Sequence, residues 1–114
     1  KRLKKFEKLF FRNFNPEKPI HILDVGGTDY FWKNSQVPNI PGLKITLLNL
    51  HLEKTTHPHI CSVVGDATSM KEFEDKKFDL VFSNSVIEHL YTYENQVKMA
   101  DEIQRVGKKY FGQI

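Results

Sequence analysis

Four short apolar runs constrain this chain more than anything else in it: IHILDV (20–25), KITLLNL (44–50), ICSVV (60–64) and FDLVFS (78–83). Runs of this length and composition suit strands buried in a sheet. Helical or connecting segments separate them, and that alternation argues for an α/β fold, a parallel sheet joined by crossovers. KKYFGQI (108–114) is expected to begin a fifth strand. One domain over residues 1–114 is expected, and a chain of this size buries roughly two-thirds of its unfolded surface.

The first segment, KRLKKFEKLFFRNF, sets Leu3, Phe6, Phe10 and Phe14 at helical spacing with lysines between them. Its phenylalanines are expected to cover the sheet edge or the mouth of the site, with the lysines in water. Pro16 and Pro19 end that helix. A second helix is expected through Tyr30, Phe31 and Trp32, closed by Pro38 and Pro41-Gly42, with two of the three aromatics packed. Ser69 and Glu72 have capping-box spacing, which predicts a short helix after the third strand. The last helical region opens in SNSVIEHL, takes Val97, Ala100, Ile103 and Val106 as its apolar stripe, and stops at Gly107.

Seventeen basic against 14 acidic residues give a formal charge of +3 and a pI near 9.0, too mild to argue for nucleic acid, and no nucleic-acid partner is expected. A single cysteine, Cys61, excludes an internal disulfide and suits a reducing compartment. No apolar run approaches the ~20 residues of a membrane span and no secretory pattern opens the chain, so a cytoplasmic location is expected. His57, His59 and Cys61 are metal-ligating types at alternating positions. Pro58 and the polar loop around it suit a solvated turn instead, no second ligand pair follows, and no metal is expected.

The chemistry concentrates in ILDVGGTDYFW (22–32), where a strand closes on Asp24 and breaks at Gly26 and Gly27. Two glycines let the backbone bend sharply and let a ligand approach it closely; a tight turn without a ligand is the plain alternative. In an open parallel sheet, ligands settle beyond the carboxyl ends of the strands, where this turn stands. A dinucleotide requires G-x-G-x-x-G. The six residues from Gly26 read GGTDYF, without the second and third glycines, and Asp29 sets a negative charge where phosphates would lie. S-adenosylmethionine carries a sulfonium and an ammonium but no phosphate, so carboxylates around the turn suit it. In ILDVGGT, ITLLN, VVGDAT and FDLVFSNSVIEHL, taken in that order, the sequence resembles the class I S-adenosylmethionine-dependent methyltransferases, notably the small-molecule members of the type 11/12 group.

That resemblance implies a Rossmann-like open sheet, with about five of the family's seven strands present, and S-adenosylmethionine as cofactor. It places Asp24 near the donor's amino group, and Gly26 and Gly27 beneath the donor with Thr28 beside them. Asn49 falls at the ribose, Asp66 and the Ala67 N–H at the adenine, and Ser83 and Asn84 beside the methionine portion. It also implies a catalytic role for His89, whose neutral imidazole can take a proton from a substrate hydroxyl, although Ser85 and Glu88 have a capping-box spacing. The loop after the fourth strand lacks the Asn/Asp-Pro-Pro-Tyr pattern of members that methylate planar amino groups, so a small-molecule acceptor is expected. The alternative is a non-catalytic donor-binding or interaction domain on the same fold, with a nicotinamide-dependent oxidoreductase a weaker third reading. An unfinished sheet edge near Tyr110 and Phe111 predicts a homodimer or self-association.

Overall fold

Five strands, β1 (Ile20–Val25), β2 (Leu43–Asn49), β3 (Ile60–Val64), β4 (Leu80–Asn84) and β5 (Tyr110–Gln113), lie in the order β3-β2-β1-β4-β5 in a computed structural model that describes residues 2–84 and 92–113. All four pairings are parallel. Each run expected to be a strand is one, with ends displaced by a residue or two. The strand order reverses between β1 and β4, which makes the carboxyl ends of those strands the switch point of a Rossmann-like sheet.

Side chains alternate across a strand, so β1 sends Ile20, Ile22 and Asp24 to one face and Leu23 and Val25 to the other. On the first face lie α1 (Arg2–Asn13), α2 (Asp29–Lys33) and a 3-10 turn (Val37–Asn39). Phe6, Phe10, Trp32 and Val37 bury there against Ile22, Ile45, Leu47, Leu80 and Phe82. The Phe6 ring stands 4.6 Å from that of Phe82 and 5.0 Å from that of Trp32. α1 therefore covers the face of the sheet and not merely its edge. Its Phe6 and the following Phe14 reach Phe111 of β5, which is partly buried as a result, while Tyr110 stays 45% exposed. Of the aromatic trio, Phe31 and Trp32 pack and Tyr30 points to solvent, as expected.

On the opposite face α3 (Tyr93–Val106) sets Met99, Ile103 and Val106 against Leu23, Val25, Leu48 and Val81. The expected stripe is thus half right. Val97 and Ala100 are exposed, because the helix turns its 99–103–106 row inward. Thr92 caps α3, its hydroxyl oxygen accepting from the Asn95 N–H at 3.1 Å. No helix forms at Ser69–Glu72. Residues 66–78 run as turns, with an isolated bridge between Asp66 and Ser69, and bury Met70, Phe73 and Phe78 in the same layer as α3. Among the described residues, no helix is long and apolar enough to cross a membrane.

The packing of Phe6 against the rings of Phe10, Phe31, Trp32, Phe82 and Phe111 makes it the junction between α1 and the sheet. Phe6→Ala is expected to cost about 3–5 kcal/mol in denaturant unfolding. Phe11→Ala, at a side chain 50% exposed on the same helix, is expected to stay within about 1 kcal/mol.

Candidate functional site

Beyond the carboxyl ends of β1, β2 and β3 opens a cavity of about 380 Å³, lined among others by Gly26, Asn49, Glu53, Asp66 and Ala67. Its size falls within the ~300–1,000 Å³ of small-molecule sites. One wall is the glycine turn. Gly26 has φ 76°, a left-handed conformation that glycine adopts without strain, and its N–H donates to the Leu48 carbonyl at 2.7 Å. The Asn49 side-chain amide donates to the Gly27 carbonyl at 2.9 Å and ties the turn to β2. Asn49 thus both lines the cavity and fastens the turn.

A further wall is the segment after β2, which contributes Leu50, His51 and Glu53. Nothing in the sequence singled out Glu53, since it sits in a polar loop without strand or helix periodicity. Its N–H donates to the Ser62 hydroxyl at 2.8 Å, and further along the Thr56 N–H and hydroxyl donate to the Asp29 carboxylate at 3.1 and 2.7 Å. Asp29 is thereby committed to fastening the loop. The third wall is the turn after β3. Asp66 Oδ1 accepts from the Thr68 N–H at 2.8 Å and from its hydroxyl at 2.7 Å, and these bonds hold the carboxyl below its ordinary range. Asp66 is exposed and Ala67 half-buried.

The other expected residues lie outside the lining. Asp24 is 1% exposed; its Oδ2 accepts from the Trp32 indole N–H at 2.8 Å, while Oδ1 is buried with no partner among the described residues. Burial raises its carboxyl to about 7, the indole bond opposing in part. Gly27 packs directly on this carboxyl, and a Cβ there would collide with it. Ser83 is buried at the end of β4 and bonds to the Tyr110 hydroxyl, while Thr28 precedes α2, exposed, without a capping bond. Asn84 ends β4 in register with Gln113. His89, with Ser85 and Glu88, lies outside the described residues.

The other histidines and the cysteine are engaged elsewhere. His57 pairs with Asn39 at 2.8 Å, His59 with the Pro38 carbonyl at 2.6 Å, and Cys61 with Thr46 at 3.5 Å. His21 bonds the same Thr46 hydroxyl at 2.9 Å; burial, then Lys44 and Lys77, lower its imidazole to about 4.

A family model described as "Methyltransferase domain" matches residues 33–110. No curated protein matches the chain in sequence. Many solved structures share its fold, among them the following three. A protein described as a methyltransferase from an antibiotic biosynthesis pathway of Anabaena variabilis has a TM-score of 0.70 at 19% identity, over 96% of this chain and 44% of its own. One described as a sarcosine dimethylglycine methyltransferase of Galdieria sulphuraria has a TM-score of 0.71 at 17% identity, over 94% of this chain and 42% of its own. A Haloferax volcanii complex of the Trm112 methyltransferase activator with a methyltransferase gives 0.66 at 18%, over 97% and 55%. The chain spans about half the length of these proteins, and the likeness establishes the fold. That fold is the Rossmann-like one of the S-adenosylmethionine-dependent methyltransferases. The chain belongs to the methyltransferase-domain family, and S-adenosylmethionine is the cofactor the family implies. The residues present fit it: a cavity of the right size, bare glycine backbone, and carboxylates where a phosphate-bearing ligand would be repelled.

Asp24 holds its proton more tightly folded than unfolded, so its contribution to stability is full below pH ~4 and is lost as pH rises through about 7. His21 works in the opposite sense, with stability lost as pH falls from ~6.5 to about 4, and partly masks it. The difference in unfolding free energy between wild type and Asp24→Asn isolates the carboxyl. It is expected to move against wild type by up to about 1.4 kcal/mol per pH unit between pH 4 and 7.

Proposed function

We propose that this chain forms one domain of an S-adenosylmethionine-dependent methyltransferase that methylates a small-molecule acceptor. The observation that carries the reading is the cavity beyond β1–β3, where the glycine turn, Asn49, Glu53 and the Gly65–Ala67 turn converge. When bound there, the cofactor supplies an electrophilic methyl on a sulfonium. The chain's part is to hold and orient. Asp66 accepts from the adenine amino group and the Ala67 N–H donates to a ring nitrogen. Glu53 joins Asn49 in taking the ribose hydroxyls, and brings the negative charge that Asn49 lacks.

Gly26, Gly27 and Thr28 supply backbone beneath the donor, and Asp24, once deprotonated, offers Oδ1, which has no partner among the described residues, toward the donor's ammonium. Ser83 and Asn84, at the carboxyl end of β4, border the methionine portion, and His89 receives the acceptor's proton. The small-molecule acceptor is supported by the absence of an Asn/Asp-Pro-Pro-Tyr loop after β4 and by the names of the Anabaena and Galdieria proteins. The free thiol of Cys61 supports a cytoplasmic location.

Calorimetry with S-adenosylmethionine and S-adenosylhomocysteine tests the reading without knowledge of the acceptor. Binding of both is expected, and binding of neither overturns it. Asp66→Ala is expected to weaken the affinity by about 1–2 kcal/mol, and Glu53→Gln by a similar amount. An unchanged affinity removes the residue from the site.

A further inference from the structure

The segment after β3 has to present Asp66 and Ala67 to the cavity, yet residues 66–78 contain no helix to hold them in place. Turns without helical bonds leave carbonyls and N–H groups that need partners from elsewhere. Two side chains of α3 provide them. Arg105 Nη2 donates to the Met70 carbonyl at 2.8 Å, and Nη1 donates to the Phe73 carbonyl at 2.8 Å and to the Asp75 carboxylate at 3.0 Å. Arg105 Nε and Nη2 donate to Glu102 at 2.8 and 3.1 Å, which uses all five N–H donors of the guanidinium. Glu102 in turn accepts from the Met70 N–H at 2.6 Å. The Arg105 side chain is 30% exposed and that of Glu102 20%, so solvent competes less for the bonds among Arg105, Glu102, Met70 and Phe73 than for that to Asp75, whose side chain is 78% exposed.

The held residues are mechanically continuous with the cavity wall. Met70 is fully buried. One residue before it, the Ser69 N–H donates to the Asp66 carbonyl at 3.0 Å, and the Glu72 carboxylate folds back against Gly65.

We propose that Arg105 and Glu102 are positioning residues for the adenine end of the donor site: α3 sets, through their side chains, where Asp66 and Ala67 stand. The proposal rests on the donor-binding reading above and adds to it the device that gives the site its preference for a 6-aminopurine. Lysine cannot replace Arg105, because a single ammonium cannot span the Met70 and Phe73 carbonyls while holding Glu102 and Asp75. Glutamine at 102 loses the ionic partner of Arg105 but keeps a carbonyl for Met70.

The test compares S-adenosylhomocysteine with S-inosylhomocysteine, whose 6-oxo group replaces the amino group, by calorimetry on wild type, Arg105→Lys and Glu102→Gln. Wild type is expected to prefer the adenine form by roughly tenfold or more, the worth of one good hydrogen bond. Both variants are expected to lose most of that preference, with affinity for the inosine form little changed. A support of stability alone would lower both affinities in parallel or neither, and either pattern overturns the proposal. So does failure of both variants to fold. Amide hydrogen exchange reads the clamp without any ligand: residues 66–73 are expected to exchange faster in both variants while β1 and β2 keep their protection. Unchanged exchange overturns the clamp, whereas a wild type that binds neither nucleoside overturns the donor reading and leaves the exchange result standing.

Discussion

A parallel sheet carries apolar side chains on both faces, and each face has to be kept from water. On one side of this sheet two helices and an aromatic cluster built around Phe6, Trp32 and Phe82 meet that demand. On the other side α3 is the single helix among the described residues, and it covers only part of the layer. A helix-free stretch completes the cover by burying Met70, Phe73 and Phe78. Irregular backbone in such a place has to find partners for its polar groups, which is why one arginine of α3 is so heavily used. The cavity wall that continues from this stretch takes its position from the same need to cover the sheet.

The middle strand also carries two ionisable groups, one toward each face. Asp24 sits among aromatic rings and His21 beside Phe78, its ring 4.6 Å away. Both environments favour the uncharged form, so acid and base shift in opposite directions and partly offset one another in the pH dependence of stability. Asp24 is tolerable in a hydrophobic layer because Trp32 supplies one hydrogen bond. Gly27 lets the turn close directly over the carboxyl.

The strands were legible in the sequence because burial on both faces leaves continuous apolar runs, and IHILDV and ICSVV match β1 and β3 residue for residue. The α3 register was harder, since Met99 and Val97 are both apolar and two residues apart, and only packing decides which of them turns inward. Ser69 and Glu72 misled for a physical reason. A capping box is a local preference, and tertiary bonds from Glu102 and Arg105 to Met70 outweigh it. Gly26, Asn49, Asp66 and Ala67 were singled out from their places at strand ends, and a topological signal of that kind is what brings strand-end residues to the lining of one cavity. Glu53 was not, because a loop residue comes to a cavity through long-range contacts such as that with Ser62, which leave no periodic trace.

Trp32 is the one tryptophan of the chain, and its indole N–H is bound to the carboxyl that lies beneath Gly27. All indole emission of the protein therefore originates from a single point under the glycine turn. A carboxylate and a neutral acid polarise a bound indole differently, so the colour and intensity of that emission follow the proton on Asp24. The fold thus contains an optical probe at the base of its glycine turn, readable without any label.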